Sequence, residues 1–200
     1  FNINPSPSDM KERDEILKNS YNDLIYFGRA FLPNDFLKKS ESAPFHYEIA
    51  KQMITPIPGA RICNIIPRGH GKSVISKAAI MHKLCFSKTD QQHFVAWVSE
   101  EQGQAIDHLK YLRSHFENNK MIKYYFGTMD GGSVGKRWTE KDIVTAKGDR
   151  VIAKGTSQRL RGRAEVDVRY TGIVLDDFES ELNTKTPERR AEIKKWIVST

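Results

Sequence analysis

The sequence predicts an α/β fold, a mainly parallel, doubly wound sheet with an N-terminal helical layer. Short apolar runs typical of buried strands alternate with helical patterns from residue 61 onward, and only helical patterns precede them. The chain has 200 residues, of which 38% are hydrophobic and 28% charged. This balance is typical of a folded globular domain, and it excludes a disordered or collagen-like chain.

Residues 1–58 are expected to form a helical segment packed on the core. Ser8 offers an N-cap for a long helix that runs to Phe31 and stops at Pro33. A second helix is expected after Pro44, where proline suits the first helical turn. The N-terminal layer is therefore predicted to contain two helices.

Residues 59–200 are expected to form the core, which begins with a buried central strand at residues 62–66. A glycine-rich turn follows, then a helix over residues 73–84 and a second buried strand over residues 94–98. Strands that alternate with helices form parallel sheets, whose ligands gather at the carboxyl ends of the strands. The predicted turn lies at such an end.

The elements that follow continue the alternation. Ser99 and Gln102 have the spacing of a capping box, which predicts a helix directly after the second strand. A hairpin is expected to join residues 143–144 to residues 151–152. Residues 172–175 form another short apolar run, which predicts a buried strand that ends in acidic residues.

The glycine-rich turn, of sequence PRGHGKS, predicts a phosphate-binding loop between a strand and a helix. Lys72 would reach the β- and γ-phosphates of a nucleotide, and the Ser73 hydroxyl would bind Mg²⁺. Ile66 stands where the usual pattern has its first glycine, so a plain glycine turn is the alternative. The predicted nucleotide-binding residues are Arg68, Gly69, His70, Gly71, Lys72 and Ser73.

The acidic residues after the last strand predict metal binding and water activation. Asp176 lies directly at the predicted strand end, where it would hold Mg²⁺. The next acid, Asp177, would then orient and polarise the water that attacks the γ-phosphate. A solvated acidic loop is the structural alternative.

A basic segment precedes the acidic strand. The net charge is +7 and the sequence pI is about 9.3, which favours a polyanionic partner. The segment would present an arginine to a γ-phosphate, in the same or a neighbouring subunit, or would contact DNA phosphates. A solvated charged face is the alternative. Its arginines are Arg159, Arg161, Arg163 and Arg169.

Several other residues are predicted to be structural. His108 and His115 are expected on an exposed helix face, because no carboxylate or cysteine stands at ligand spacing from them. Cys63 and Cys85 are expected to be free, buried thiols. No apolar run has membrane-spanning length and no signal peptide is visible, so the sequence predicts a cytosolic protein outside the membrane.

These motifs together resemble the N-terminal ATPase domain of the large terminase subunit of tailed bacteriophages. That family tolerates a phosphate loop without the first glycine and keeps an arginine four residues before the lysine, as Arg68 precedes Lys72 here. Residues 94–102, and a GTSQRLRG segment before the acidic strand, follow in the family's order. The resemblance covers most of the chain.

The resemblance implies a RecA-like ASCE P-loop ATPase that binds ATP and Mg²⁺ and packages double-stranded DNA into a procapsid. It also implies a homo-oligomeric ring, with the small terminase subunit and the portal as partners. Such a protein would be in the host cell cytoplasm, transiently docked on the procapsid. A magnesium-dependent hydrolase that acts as a motor is therefore expected.

The resemblance also implies roles for individual residues. Arg161 matches the arginine that reaches the neighbouring subunit's ATP. Asp177 matches the position of the catalytic acid, whereas Glu179 matches its type, and Asp177 is slightly favoured. His46 stands in the region of a glutamine that reads adenine. The coupling motif and the RNase H-like nuclease domain are expected to follow Thr200, so this chain is not expected to be a nuclease.

Other function classes stay open at this stage. One alternative is a basic DNA-binding or scaffold module whose incomplete phosphate loop no longer hydrolyses ATP. In that case the net positive charge is the feature responsible for the function. Another ASCE enzyme, such as a helicase or recombinase, shares the loop and the acidic strand, but the chain shows no helicase motif after its acids. A small-molecule kinase fits least, because the sequence has no acceptor-pocket signature.

Overall fold

The computed structural model describes residues 7–36, 41–55, 59–156, 158, 169–179 and 184–199. In these ranges the protein is a mixed α/β structure with eight α-helices and an open, mostly parallel sheet of four strands. The predicted α/β class and the largely parallel sheet are therefore confirmed.

The elements have the following bounds. The helices are α1 Pro7–Asn22, α2 Leu24–Phe31, α3 Pro33–Phe36, α4 Pro44–Ile54, α5 Lys72–Cys85, α6 Gln102–Asn118, α7 Lys120–Phe126 and α8 Pro187–Ser199. The strands are β1 Phe94–Ser99, β2 Asp142–Val144, β3 Arg150–Gly155 and β4 Gly172–Leu175, and Gly132–Val134 form one turn of 3₁₀-helix.

The described residues group into two compact units. The first unit draws on Phe1–Phe86 and Asn118–Thr128, and the second on Ser87–Glu117 and Met129–Thr200. The first unit contains helices α1 to α5 and α7, and the second contains all four strands, α6 and α8. The domain boundary between residues 58 and 59 stays a prediction.

The first unit contains two N-terminal helices where the sequence pattern predicts one. Helix α1 ends at Asn22, and the Asp23 backbone is extended, with φ −136° and ψ 111°. Asp23 Oδ1 accepts hydrogen bonds from the backbone N–H groups of Ile25, at 2.8 Å, and Tyr26, at 3.1 Å. An N-cap side chain therefore begins a new helix inside the predicted one. Past the expected stop at Pro33, the chain forms the single turn of α3.

The core of the first unit is aromatic. Phe27 and Phe31 of α2 are fully buried, and their rings lie 5.0 Å apart. Phe126 of α7 lies 5.2 Å from Phe31, and His82 of α5 packs edge-on against Phe27 at 5.3 Å. The His82 Nε2–H lies 3.0 Å from the Ser20 carbonyl oxygen. These contacts hold α2, α5 and α7 together.

The buried strand predicted at residues 62–66 is not formed. The segment has no strand structure; Ile65 is 93% exposed and Ile62 is 44% exposed. An apolar run becomes a buried strand only when neighbouring strands satisfy its backbone groups and other elements cover its side chains. Cys63 in this segment is exposed while Cys85 of α5 is buried, so the prediction of two buried thiols is half wrong.

The second unit is built on a sheet of strand order β2-β3-β1-β4. The central strand β1 pairs in parallel with both β3 and β4, and β2 pairs antiparallel with β3. Val98 of β1 stands opposite Lys154 on one side and Leu175 on the other. The predicted strand at residues 94–98 and the predicted hairpin are confirmed. A strand also forms at residues 172–175, but its residues are only partly buried, so the prediction of a buried strand there is half wrong.

Helices cover both faces of this sheet. Val98 packs in a buried cluster with Ile152, and Trp196 of α8 lies against that cluster. Trp97, the residue before Val98 in β1, points to the opposite face, where its ring stacks on His108 of α6. Helices α8 and α6 therefore contact opposite faces of the sheet.

The capping box predicted from Ser99 and Gln102 is not formed. Ser99 is the last residue of β1, and its buried hydroxyl has no hydrogen-bond partner within the described residues. Gln102 is the first residue of α6, and its Nε2 donates to the Ala153 carbonyl at 3.0 Å. The predicted helix is present, but the Gln102 side chain hydrogen-bonds to β3 instead of capping the helix.

Charged side chains stabilise the hairpin of the sheet. Arg150 donates Nε to Asp142 Oδ1, at 2.9 Å, and Nη2 to Asp142 Oδ2, at 2.8 Å, and Arg137 Nη1 donates to Oδ2 at 2.7 Å. Burial alone would raise the pKa of Asp142, but the hydrogen bonds from the two arginines hold it below its ordinary value.

Candidate functional site

The glycine-rich turn leads directly into α5 in the first unit. Gly69 and Gly71 have φ angles of +78° and +76°, in the left-handed region that residues with a Cβ avoid. Gly71 is the N-cap residue, and its carbonyl accepts a hydrogen bond from the Ile75 N–H at 3.0 Å. The first N–H groups of α5 have no helical partner at this end, which favours an anion there. The left-handed backbone of this turn therefore requires glycine at both positions.

Lys72 reaches back across the turn. Its Nζ donates to the Ile66 carbonyl at 2.7 Å, six residues earlier in the chain. An ammonium group has three N–H donors, so this contact leaves two for an anion. Ser73, predicted to bind Mg²⁺, is partly buried in the first turn of the same helix. Lys72 and Ser73 thus stand together where α5 begins.

His46 of α4 supports the turn from outside. The Ala43 N–H donates to His46 Nδ1 at 3.0 Å, so Nε2 carries the ring hydrogen of the neutral side chain. That Nε2 donates to the His70 carbonyl at 3.0 Å. His46, predicted from the sequence as a nucleotide-binding residue, therefore contacts the loop backbone directly. Its contact with adenine stays a prediction.

The remaining loop residues are exposed. His70 Nδ1 lies 2.9 Å from the Arg68 carbonyl, a local contact that shapes the turn. The Arg68 side chain is exposed, as is Pro67 before it. The first unit therefore brings together all the predicted phosphate-binding residues and His46. The strand that was predicted to lead into the turn is missing.

The second unit gathers three loops at one edge of its sheet. Strands β1, β3 and β4 are parallel, so their carboxyl ends meet at the same edge. The Glu100 N–H donates to the Asp177 carbonyl at 3.0 Å. The Thr156 hydroxyl lies 3.1 Å from the Ser99 carbonyl oxygen and 3.0 Å from that of Phe178. These contacts hold the acidic loop in place.

Asp176 is the first residue of the acidic loop and is only 8% exposed. It lies on the same face of the sheet as Trp97, because Leu175 before it lies against the opposite cluster. Its Oδ2 is buried and accepts no hydrogen bond from the described part of the chain. A buried carboxylate without this hydrogen bond is costly, and a cation bound by the carboxylate would offset that cost. Asp176 therefore fits the predicted role of a magnesium ligand.

His108 of α6 lies beside this carboxylate, which the sequence reasoning missed. Its Nε2 lies 3.5 Å from Asp176 Oδ2, and its ring stacks on Trp97 at 4.5 Å. The prediction of an exposed helix face for His108 is therefore wrong. Ala105 and Leu112 of the same helix are buried, three residues before His108 and four after it. That helical spacing was the available signal.

The two candidate catalytic acids are exposed. Asp177 has a φ of +46°, the one left-handed non-glycine residue in the described ranges. Aspartate tolerates this conformation better than most residues, and such conformations cluster at functional sites. Glu179 lies two residues further along the same loop. The choice between them stays a prediction.

The basic segment begins beside β3. The Gln158 Nε2 donates to Gln102 Oε1 at 3.1 Å, and Trp196 Nε1 donates to the Gln158 carbonyl at 3.3 Å. Residues 159–163, with Arg161, lie outside the described residues, and Arg169 is exposed. Two helices therefore hold the chain where the arginine segment starts.

The predicted metal ligands lie in different units, Ser73 in the first and Asp176 in the second. No group of three His, Cys, Asp or Glu side chains within the described ranges could hold a metal ion. Mg²⁺ is usually bound through one or two carboxylates together with substrate phosphates and water. Asp176 offers one carboxylate of this kind in the second unit.

The fold and these two clusters define a mixed α/β protein with a glycine-rich loop in one unit and a carboxylate edge in the other. The chain matches no protein-family model, no curated protein and no solved structure. Across the described residues, no helix has the length and apolar character needed to span a membrane.

Proposed function

We propose that the chain is a magnesium-dependent ATPase of the terminase large-subunit class, with a RecA-like core that drives double-stranded DNA into a procapsid. The observation that carries the proposal is the turn before α5. Two left-handed glycines place Lys72 at the start of a 14-residue helix, where its ammonium closes over the turn. Backbone N–H groups at the start of a helix favour phosphate groups, and this supports the proposal.

The loop would bind the phosphates through backbone and side-chain donors. The N–H groups at the start of α5 would donate to phosphate oxygens, and Lys72 would exchange its contact with the Ile66 carbonyl for one with the β- and γ-phosphates. The hydrogen bond from His46 to the His70 carbonyl keeps the loop backbone in position for this. Mg²⁺, when bound, would offset the phosphate charge.

The acidic loop would supply the metal ligand and the base. Asp176, whose buried Oδ2 accepts no hydrogen bond within the described residues, is the proposed ligand of Mg²⁺ in the second unit. Ser73 is a separate proposed ligand in the first unit. Asp177 or Glu179 would accept a proton from the attacking water, and both are exposed enough to reach one. Arg161 is the proposed arginine that reaches the ATP of a neighbouring subunit in a ring.

The charge of the chain supports a nucleic-acid partner. A net charge of +7 favours contact with DNA phosphates, in an interaction that weakens as salt rises. The small terminase subunit and the portal of the procapsid are the proposed protein partners. Host cytoplasm is the proposed location.

Nucleotide binding by a lysine variant tests the loop. Lys72→Ala is expected to weaken magnesium-dependent ATP binding at least about tenfold, because it removes the cation at the phosphates. Lys77→Ala is the matched control, since Lys77 lies five residues further along the same helix. Isothermal titration calorimetry with ATP and Mg²⁺ measures both, and circular dichroism checks folding.

Each result of this titration bears on the proposal. Binding by the wild type and by Lys77→Ala, with a clear loss in Lys72→Ala, supports the loop as the nucleotide site. Equal binding by the two variants contradicts the assignment of Lys72. A folded wild-type chain that binds no ATP contradicts the ATPase proposal as a whole.

A second candidate is a basic DNA-binding or scaffold module that does not hydrolyse ATP. The observation that favours it is the segment before the turn, which is exposed rather than a strand, with Ile66 in place of the usual glycine. Such a module would bind duplex DNA with a strong salt dependence and show no ATP turnover. Turnover by the wild type excludes it.

A further inference from the structure

The face of the sheet under α6 carries an imidazole beside the proposed metal ligand. Trp97 of β1 is fully buried, and the His108 ring lies nearly parallel to its indole, with centroids 4.5 Å apart and an angle of 24° between the planes. Trp97 therefore fixes the plane of the His108 ring. In this orientation Nε2 faces Asp176 Oδ2 at 3.5 Å.

Only the imidazole can donate a hydrogen bond in this contact. An ionised carboxylate oxygen only accepts hydrogen bonds, so an attractive contact needs the hydrogen on His108 Nε2. The separation of 3.5 Å is longer than a good hydrogen bond, and Oδ2 accepts no hydrogen bond from the described chain. Oδ2 of Asp176 thus faces His108 of α6, and none of the described backbone N–H groups donates to it.

We propose that His108 is a positioning residue for Asp176, and this inference rests on the proposed function. Its Nε2–H holds one carboxylate oxygen toward α6, so the other oxygen of Asp176 meets Mg²⁺ in a single orientation. A carboxylate restrained in this way loses less rotational freedom when it binds the metal. Groups that orient metal ligands typically change metal affinity by about 10- to 100-fold.

Three substitutions separate orientation from packing. His108→Phe keeps an aromatic ring on Trp97 and removes the N–H donor. His108→Gln removes the ring and keeps an N–H donor of similar reach. His108→Leu removes both, and it serves if the phenylalanine variant does not fold. His115→Phe is the matched control, because His115 lies on the same helix and packs on Tyr111 at 4.5 Å.

Binding of Mn²⁺ to the full chain is the test, since Mn²⁺ accepts the same oxygen ligands and its free ion is counted by electron paramagnetic resonance. Titrations are run without and with ADP, on the wild type, Asp176→Asn and the variants at residues 108 and 115. We expect Mn²⁺ affinity to fall about tenfold in His108→Phe and His108→Leu and to recover in His108→Gln. His115→Phe is expected to match the wild type.

The outcomes separate the role of His108 from the proposed function on which that role rests. Weak binding by Asp176→Asn with wild-type affinity in His108→Phe or His108→Leu overturns the role of His108 and leaves the metal ligand in place. Equal losses in all three His108 variants show a packing role and also overturn it. Wild-type binding by Asp176→Asn, or no specific binding by the wild type, removes the metal assignment from the proposed function and the inference with it.

Discussion

Two short apolar runs with similar patterns have different structures in this protein. Residues 94–98 form the centre of β1, with parallel neighbours on both sides and helices on both faces. Residues 62–66 form no strand, and Ile65 is 93% exposed. The difference teaches that an apolar run specifies a strand only together with the strands that pair with it and the side chains that cover it.

A charge placed in each run gives the largest expected contrast. Val98→Asp is expected to lower the free energy of unfolding by about 4 kcal/mol or more, because it buries an unpaired charge in the sheet. Ile65→Asp is expected to change it by less than about 0.5 kcal/mol, because that side chain is exposed. Urea denaturation, followed by circular dichroism, measures both.

Of the two variants, Ile65→Asp is the one that tests whether residues 62–66 form a buried strand. A loss of stability in Ile65→Asp as large as that in Val98→Asp would show that residues 62–66 form a buried strand in solution. That result would contradict the fold described here, and it would give the phosphate loop the preceding strand that the sequence predicts.

The pH dependence of stability gives a test of the first unit, because its core contains the imidazole of His82. Burial lowers the pKa of His82, and its bonds to the Ser20 and Tyr21 carbonyls only partly offset this. The unfolded chain therefore takes up a proton first as the pH falls through 6.5, and stability falls by at most about 1.4 kcal/mol per pH unit. Stability is regained as the pH rises above that value.

His82→Gln isolates this contribution from the other histidines. Glutamine keeps an N–H donor for the Ser20 carbonyl and does not titrate. We expect the free energy of unfolding to depend less on pH between 5 and 7.5, roughly the range in which histidine titrates, in the variant than in the wild type. Parallel curves for the two proteins would rule out His82 as the source.

The smallest expected effect concerns the break between α1 and α2. Asp23→Ala is expected to cost about 1 kcal/mol, because two helical N–H groups lose their acceptor. Asp23→Asn keeps a side-chain oxygen and is expected to lower the free energy of unfolding by only about a few tenths of a kcal/mol, which is roughly the measurement error. Thermal unfolding compares the three proteins, and equal losses in both variants would mean that the charge matters rather than the cap.

Much of the sheet could be predicted from the sequence because its strands have local signals. Short apolar runs bounded by turn residues marked β1 and β4, and a glycine at position 148 marked the hairpin, where its φ is +102°. The glycines of the phosphate loop were likewise readable, since their φ angles need glycine. Local chemistry determines these features.

The features that were missed depend on partners far away in the chain. The exposure of Ile65 follows from the absence of a paired strand, which no local pattern reveals. The contact between His108 and Asp176 joins residues 68 positions apart, through α6 and β4. The cap at Asp23 was visible in the sequence, but the apolar pattern across it favoured one continuous helix.

Magnesium-dependent ATP turnover tests the central claim most directly. It is measured for the wild type, Asp177→Asn and Glu179→Gln at several protein concentrations, with and without duplex DNA. The account predicts turnover that rises with protein concentration and is lost in one acid variant, which names the catalytic carboxylate. A folded wild-type chain with no ATP binding and no turnover would contradict the claim and leave a basic DNA-binding module.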